Sequence, residues 1–253
     1  MKRTALAIAI LLSTLGLASE TLATDDDAIR QLRATNRCPR CDLRGANLSG
    51  LDLRGANLFN ANLQGAILND ADLRSANLYG ANLYTASLFR ANLADANFAK
   101  ATLRDTDLQG ADLRQADLSG ASLSRSNLRK ADLRDANLFE ANFTEANIPE
   151  ADFENADLRK SVFVRANLSN ANFADANLFA ADLRLANLNG ADFSNASLQA
   201  AILVDTNIAQ AELSNTDLTN ALIQGTEVGP AVCIADRVIN CVVAPPAAPT
   251  PIF

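Results

Sequence analysis

Residues 54–83 read RGANL-FNANL-QGAIL-NDADL-RSANL-YGANL, six successive blocks of five residues built on one plan. Each block has two variable residues, then Ala, then Asn or Asp (Ile67 is the exception here), then Leu. The register continues in both directions without an insertion. From Leu43 to Ile223 every fifth residue is large and apolar, which gives 37 consecutive pentads.

A period of five fits neither of the two regular secondary structures. On an α-helix a step of five residues leaves a net rotation of about 140°, so the leucines would spiral around every side. On a continuous strand an odd step places successive leucines on opposite faces. A chain that turns by about 90° every five residues keeps them all inside, because four pentads then close one square coil.

In such a coil the Leu or Phe of each pentad points inward, together with the small Ala two positions before it. The Asn or Asp between them faces outward, where its side chain can bond neighbouring backbone groups. Residues 20 apart occupy equivalent positions in successive coils. We therefore expect Phe153, Phe173 and Phe193 to form one interior column, and Phe143 and Phe163 a second column on the adjoining wall.

The unbroken A(N/D)L register resembles the pentapeptide repeat proteins, and the resemblance covers residues 38–225. It implies an all-β fold, a right-handed quadrilateral β-helix. The 37 pentads correspond to about nine coils, a tower on the order of 45 Å long. For most members the resemblance implies no enzymatic activity. The Cys-rich start of the repeat resembles that of exported members of the family, which implies that this protein resides in the periplasm or the thylakoid lumen.

Residues 1–23 have the pattern of a Sec-type signal peptide. Lys2 and Arg3 precede an apolar run from Ala5 to Ala18, and the small-residue sequence Thr21-Leu22-Ala23 predicts cleavage after Ala23. A retained membrane anchor is the alternative, although the run is shorter than the roughly 20 residues that a span needs. After cleavage we expect no membrane insertion.

Both ends of the repeat are predicted to be capped, because an open coil end exposes unpaired backbone groups. Residues 24–37 contain Asp25-Asp26-Asp27, acids suited to a helix start, before a short helix from Ala28 to about Ala34. Residues 226–243 are predicted to form a disulfide-closed cap, and the Pro-rich residues 244–253 a disordered tail.

The four cysteines fall into two local pairs, Cys38 with Cys41 and Cys233 with Cys241. The tower separates the pairs by far more than the roughly 4.4–6.8 Å between bonded Cα atoms, so a bond between the pairs is excluded. Cys233–Cys241 is the firmer predicted disulfide in an exported protein. Whether Cys38 and Cys41 bond to each other stays open, since the loop is tight.

A redox or zinc-binding role for Cys38 and Cys41 is disfavoured. A thioredoxin-like redox site needs a βαβ context, and a zinc site needs four converging ligands in a chain that has no His.

Composition excludes several functions. The formal net charge is −7, which argues against sequence-independent binding to nucleic acid. With no His in the chain, the commonest general base and metal ligand is missing, and we expect no cofactor and no metal. One wall, the acidic wall, carries acids beside a column of arginines, which we interpret as a solvated face with neutralised acids rather than as an acid pair or a cation-binding ladder. The acids are Asp52, Asp72, Asp112, Asp132, Asp152, Asp192 and Glu212, and the arginines are Arg54, Arg74, Arg114 and Arg134.

Outward-facing aromatic residues are the strongest indication of a contact with another protein. Four of them share one position of the coil, and two continue around the neighbouring walls. The candidate protein-contact surface is Phe59, Tyr79, Tyr84, Phe89, Phe139 and Phe179. A column of asparagines from Asn127 to Asn207 is interpreted as a hydrogen-bonded ladder.

The sequence therefore predicts an exported, non-enzymatic structural or protein-interaction module with an unknown protein partner, present as a monomer or an end-to-end dimer. The alternative is a DNA mimic that inhibits a DNA-binding protein such as gyrase, as some acidic members of the family do. An enzyme would need a concave pocket with converging groups, and a straight tower predicts none.

Overall fold

The computed structural model describes residues 23–208 and 210–226, with the backbone alone for Ala23–Asp26. Helix α1, Ala23–Thr35, precedes a β-helix. Strands β1, Ile202–Val204, and β2, Leu222–Gln224, pair in parallel, with Ile202 opposite Leu222. The predicted signal peptide, the Cys233–Cys241 disulfide, the C-terminal cap beyond Thr226 and the Pro-rich tail lie outside the described residues.

The coil repeats every 20 residues. Parallel bridges join residues 20 apart in an unbroken series that starts at Arg37–Asn57 and ends at Ser197–Asp217. On each wall the backbone bonds run both ways between coils: the Leu43 amide donates to the Asn62 carbonyl at 2.7 Å, and the Asn62 amide donates to the Cys41 carbonyl at 2.8 Å. Four pentads per coil is therefore confirmed, and the total of about nine coils stays a prediction.

Each corner is a tight turn with one residue in the left-handed region. Every fifth residue from Arg40 to Asp205 has a positive φ, including Lys100 at 58°. At most corners the residue after such a position closes the turn, as when the Ala46 amide donates to the Leu43 carbonyl at 3.1 Å. A positive φ at the third residue of a turn is the type II pattern that Gly favours. Most corners here carry other residues, so the stacked coils impose a conformation that these residues disfavour alone.

The interior follows the predicted pattern. The Leu, Ile or Phe of each pentad and the preceding Ala are buried over nearly the whole tower, while Asn and Asp lie outward. Where a hydroxyl replaces the interior Ala it finds a backbone partner: Ser126 Oγ donates to the Leu123 carbonyl and Thr106 Oγ1 to the Leu103 carbonyl, both at 2.6 Å. No buried polar side-chain atom of the described residues lacks a partner, as close packing requires.

The two phenylalanine columns exist, but they face each other across the interior. Phe153 and Phe173 stack with ring centroids 4.8 Å apart, and Phe143 stacks on Phe163 at 4.7 Å. Between columns the rings meet edge to face, with Phe143 and Phe153 6.2 Å apart. The prediction of adjoining walls was wrong, because ten residues span two corners, or half a coil. Edge-to-face packing of opposed aromatic rings is a favourable geometry.

Helix α1 lies over the first coil, as predicted, but it is longer than predicted. It begins at Ala23 rather than at Ala28, so Asp25–Asp27 lie within the helix and not before it. Leu32 is buried against the core, and Ala28 and Ile29 pack on it. Asn36 ends the helix with φ of 54°, its amide donating to the Leu32 carbonyl at 2.8 Å.

Cys38 and Cys41 are joined by a disulfide, with Cα atoms 5.3 Å apart. The sulfur of Cys38 lies 3.4 Å from the carbonyl oxygen of Ala28, in contact with helix α1. The bond therefore closes the first corner of the tower directly beneath the helix. This answers the question that the sequence left open, whether these two cysteines bond to each other.

Candidate functional site

The acidic wall is neutralised by its own arginines. Arg114 Nη2 lies 2.6 Å from Asp112 Oδ2, and its Nε lies 3.6 Å from Asp132 in the next coil. The same pairing two residues apart recurs along the wall. It joins Asp52 to Arg54, Asp72 to Arg74 and Asp132 to Arg134. We therefore interpret the wall from Asp52 to Asp132 as a compensated surface. Farther along, the position two residues after the acid is Glu154, Ser194 or Ser214.

These arginines also set the ionisation of the acids. The hydrogen bond from Arg54 lowers the pKa of Asp52 to about 2. Hydrogen bonds from Arg114 and Arg159 likewise hold the pKa values of Asp112 and Asp157 below the usual range, against an opposing desolvation effect. A general acid near neutral pH needs a raised carboxyl pKa, and each of these shifts is in the opposite direction.

An open groove interrupts the same wall, and the sequence did not predict it. The arginine column of this wall has Ala94 between Arg74 and Arg114, and the missing side chain leaves a hollow of about 500 Å³. Asp95, Asp135 and Glu154 also line the groove, so both charge signs meet there. Among the described residues no group of His, Cys, Asp and Glu could hold a metal ion.

The structure brings only two of the six predicted contact aromatics together. Phe59 and Tyr79 stack with ring centroids 5.6 Å apart on one wall. We call this wall, with the outward positions of Phe59, Tyr79, Phe139 and Phe179, the aromatic wall. The two coils between Tyr79 and Phe139 carry Ala99 and Ser119 at the ring position. Phe179 stands alone and is 42% exposed.

Tyr84 and Phe89 lie on two other walls of the tower. Tyr84 is 37% exposed, and Phe89 is half-buried beneath Arg90, whose Cζ lies 5.4 Å from the ring centroid. The predicted set of six residues therefore does not form one surface. The candidate site reduces to the aromatic wall.

Cations cover the rings of the aromatic wall. Arg40 Cζ lies 6.0 Å from the centroid of Phe59, and Lys100 Nζ lies 5.7 Å from that of Tyr79. Farther along, Lys160 Nζ lies 5.3 Å from the centroid of Phe139. Each such contact contributes about 0.5–1 kcal/mol at an exposed site. Charged side chains therefore partly cover the rings.

The first part of the aromatic wall carries positive charge without acids. Its outward positions from Arg37 to Lys100 contain no Asp or Glu. Arg37, Arg40 and Lys100 are exposed, and none of them forms an ion pair with a described residue. On a chain of net charge −7 this is a local reversal of sign. We call Arg37, Arg40, Phe59, Tyr79 and Lys100 the basic aromatic patch.

Sequence reasoning found the rings of this patch and missed its cations. A detectable signal existed: Arg40 precedes Phe59 by 19 residues, and Lys100 follows Tyr79 by 21. Residues one coil apart, give or take one position, are neighbours on the same wall. Scanning corner residues at these offsets from each outward aromatic would have found Arg40, Lys100 and Lys160.

The wall opposite the aromatic wall carries the predicted asparagine ladder. Asn147 Nδ2 donates to Asn127 Oδ1 and Asn167 Nδ2 to Asn147 Oδ1, each at 3.1 Å. Asn187 continues the series with the same distance to Asn167. The side chains satisfy one another along the stack, so the structural interpretation of this column from Asn127 to Asn187 is confirmed.

The square coil, the turn at every fifth residue and the interior Ala and Leu define a solenoid of stacked five-residue repeats. The model for Pentapeptide repeats matches the chain in overlapping segments from residue 38 to residue 225. The chain belongs to the pentapeptide repeat family. No curated protein matches it.

Two solved structures illustrate the relationship. The chain is similar to HetL, a pentapeptide repeat protein involved in heterocyst differentiation regulation from the cyanobacterium Nostoc sp. strain PCC 7120. Their identity is 33% and the TM-score 0.73, over 79% of this chain and 94% of HetL. A trypsin-treated variant of QnrB1, a plasmid-mediated fluoroquinolone resistance protein, shares the fold at 22% identity and a TM-score of 0.61, over 66% of this chain and 84% of that one. These similarities support the predicted right-handed β-helix.

Proposed function

We propose that this protein is a non-enzymatic interaction module that binds an acidic segment of a partner protein on the basic aromatic patch. The observation that carries the proposal is the pairing of two stacked rings with three cations that have no ion-pair partner among the described residues. Tyr, Phe and Arg are enriched at protein interfaces, and held rings bind with little loss of conformational entropy.

Charge explains why the partner segment should be acidic. Arg37, Arg40 and Lys100 repel a basic segment and attract an acidic one, although the net charge of −7 repels an acidic segment from the protein as a whole. Complementary charge therefore selects where on the tower the partner docks, and it speeds the encounter. The apolar rings between the cations favour a segment that also carries an aromatic or aliphatic residue.

Export is part of the same proposal. The pattern of residues 1–23 and the disulfide between Cys38 and Cys41 both support an oxidising compartment outside the cytoplasm, either the periplasm or the thylakoid lumen. N-terminal sequencing of the native protein should find Thr24 as its first residue. Finding Met1 there would contradict export by cleavage. No helix among the described residues is long and apolar enough to span a membrane.

The second candidate function, DNA mimicry, has less support from the surface. A mimic of the phosphate backbone needs stacked acids that stay uncompensated, whereas four acids of the acidic wall, Asp52, Asp72, Asp112 and Asp132, bond arginines two residues along. The similarity to QnrB1 supports the fold alone. We therefore place the partner on the aromatic wall rather than on the acidic wall.

Site-specific photo-crosslinking in the native host tests the proposal. A photoreactive residue at Tyr79 should capture a protein, and the same residue at Gln109, on the opposite wall, should not. An excess of poly-glutamate peptide should suppress the product. Equal capture at both positions, or a crosslink to nucleic acid that a single-stranded oligonucleotide competes away, would overturn the proposal.

A further inference from the structure

The column of arginines on the acidic wall has a gap between Arg74 and Arg114. These two residues lie two coils apart, and the position between them is Ala94, beside the groove of about 500 Å³. The acid two residues earlier is missing as well, because Asn92 stands where the coils on either side carry Asp. One complete ion pair of the repeating wall is therefore replaced by an open groove.

The arginines of the same wall show what such a gap can hold. Each bonds the acid two residues earlier, and three of them also approach the acid 18 residues later, in the next coil. The second contact joins Arg54 Nε to Asp72 at 3.7 Å, Arg114 Nε to Asp132 at 3.6 Å and Arg134 Nε to Asp152 at 3.5 Å. A carboxylate of this wall can therefore receive a guanidinium from the preceding coil in addition to its own.

Asp112 lacks the guanidinium of the preceding coil. The residue 18 positions before it is Ala94. Arg114 bonds Asp112 at 2.6 Å, just as Arg134 bonds Asp132, but among the described residues Asp112 has no second arginine. A guanidinium in the place of the missing side chain would therefore meet Asp112 in a geometry that the wall already uses.

The remaining charge of the groove is negative. The three arginines that line it are each bonded to an acid of their own coil. Asp95, Asp135 and Glu154 line it too, and none of these three forms an ion pair with a described residue. The groove therefore favours a cation, and a planar guanidinium suits it better than an ammonium, because it can stack in the column and bond a carboxylate through two donors.

We propose that the groove at Ala94 is a docking site for an arginine side chain of a partner protein. The guanidinium takes the place of the missing arginine, next to Asp95 and within reach of Asp112. The site lies on the wall adjoining the aromatic wall, since Tyr79 follows Arg74 by one pentad. It is separate from the basic aromatic patch and does not depend on the function proposed above.

An extended segment of a protein fits the groove better than a free amino acid. The lining continues from Asp95 to Asp135, two coils farther on, which is roughly 10 Å at 4.8 Å per coil. An extended chain covers that distance in about three residues. A partner can therefore place an arginine at the gap and a second basic residue, three positions away, at Asp135. The α-carboxylate of a free amino acid would be repelled by the same acids.

Titration of the isotope-labelled full chain with N-acetyl-arginine amide tests the site by NMR. We expect saturable shifts of the backbone amides of Ala94, Asp95 and Asp112, with an affinity in the millimolar range, as for a single exposed charged contact. N-acetyl-lysine amide has the same charge without the planar donors. It should bind about fivefold more weakly.

Filling the gap from within the chain is the decisive variant. Ala94→Arg should abolish the saturable shifts, because its own guanidinium then contacts Asp112. The matched control is Ala174→Arg, which also follows an Asn by two residues and precedes the acid Asp192 by 18, but has Glu154 and Ser194 as its neighbours along the column. It should leave binding unchanged. Unaltered amide resonances in distant coils show that both variants are folded.

A second variant removes an acid instead of filling the gap. Asp95→Asn keeps the corner, because Asn155 and Asn195 occupy the same corner position with φ of 60° and 58°. We expect binding to weaken by about threefold, the effect of losing one exposed ion pair. Asp175→Asn, at the same corner position beyond the lining of the groove, should have no effect.

Several outcomes would overturn the proposal. Equal binding of the arginine and lysine amides would mean that the groove attracts charge alone. Shifts that do not saturate, or that persist in Ala94→Arg, would place the contact elsewhere. Free arginine carries the same net charge as its acetylated amide, so tighter binding of free arginine would identify a small molecule as the ligand in place of a partner protein.

Discussion

The two halves of the aromatic wall share their fold and differ in their chemistry. In the first half Phe59 and Tyr79 stack between Arg40 and Lys100, and no acid stands among the outward residues. In the second half the ring of Phe139 also lies beneath cations, but Glu140 and Asp157 bind them. Lys160 Nζ is 3.6 Å from Glu140, and Arg159 Nη2 is 2.6 Å from Asp157.

The difference shows where specificity is encoded in this fold. The Ala and Leu of each pentad are nearly invariant along the chain, so they fix the position of every outward side chain and nothing more. The two corner residues are free to vary, because they point away from the core. A change of one or two corner residues therefore turns a neutral stretch of wall into a charged one without altering the tower.

Reversing the charge of the cations in the first half of the aromatic wall should have the largest effect on partner binding. For Arg40→Glu combined with Lys100→Glu we expect affinity for the captured partner to fall about a hundredfold or more, because two attractive contacts become repulsive. Titration with the purified partner measures it. The control is Arg159→Glu with Lys160→Glu in the second half, for which the affinity should change little. Comparable losses in both double variants would remove the distinction between the halves.

Removing one ring should have a smaller effect. Tyr79→Ser leaves the fold intact, since Ser119 already occupies the same position two coils on. We expect about a tenfold loss of affinity, typical of an aromatic contact at an interface. The matched variant Phe179→Ser removes a more exposed ring from the second half and should leave the affinity unchanged. A loss with Phe179→Ser alone would move the docking site to the other end of the wall.

The fold could be predicted almost completely from the sequence because the repeat constrains every position. Leu43 to Ile223 keep one register, so the 20-residue coil and the buried positions follow from the period. The relative placement of the Phe143 and Phe153 columns was predicted wrongly, because ten residues turn two corners and reach the opposite wall. The start of helix α1 could not be found, since Asp25–Asp27 suit either the N-cap or the first turns of a helix.

The candidate site was predictable only in part. Outward aromatics stand out against a repeat of small and polar residues, which is why Phe59 and Tyr79 were found. The groove at Ala94 and the pairing of Lys160 with Glu140 depend on which corner side chains reach across one coil. Corner side chains are long and have several rotamers, so the period gives their positions but not their contacts.

Converting the second half into a copy of the first is a gain-of-function test. Glu140→Gln with Asp157→Asn removes the acids that bind Lys160 and Arg159, leaving two cations beside Phe139. We expect a second, weaker binding site for the partner, detected as a change in stoichiometry by calorimetry. The single variant Glu145→Gln, which removes an acid from another wall, is the control. An unchanged stoichiometry would mean that the stacked ring pair, absent here, is indispensable.

The smallest expected effect is the dependence of stability on pH, and it also separates the two halves. Hydrogen bonds from arginines lower the pKa of Asp52 to about 2 and depress that of Asp157. The stabilisation is therefore fully present above the unfolded value of about 3.9 and is lost as the pH falls through the folded value. We expect the thermal unfolding midpoint to stay level from about pH 8 to pH 5 and to fall between about pH 4 and pH 2.

The variant Asp157→Asn removes one of these carboxylates, so it should flatten part of that fall and leave Arg159 without its ion-pair partner. Arg40 and Lys100 pair with no described acid, so the same pH change should not affect their contacts. If the unfolding midpoint of Asp157→Asn fell at low pH as much as that of the unaltered protein, the ion pairs in the second half of the aromatic wall would be too weak to neutralise its cations.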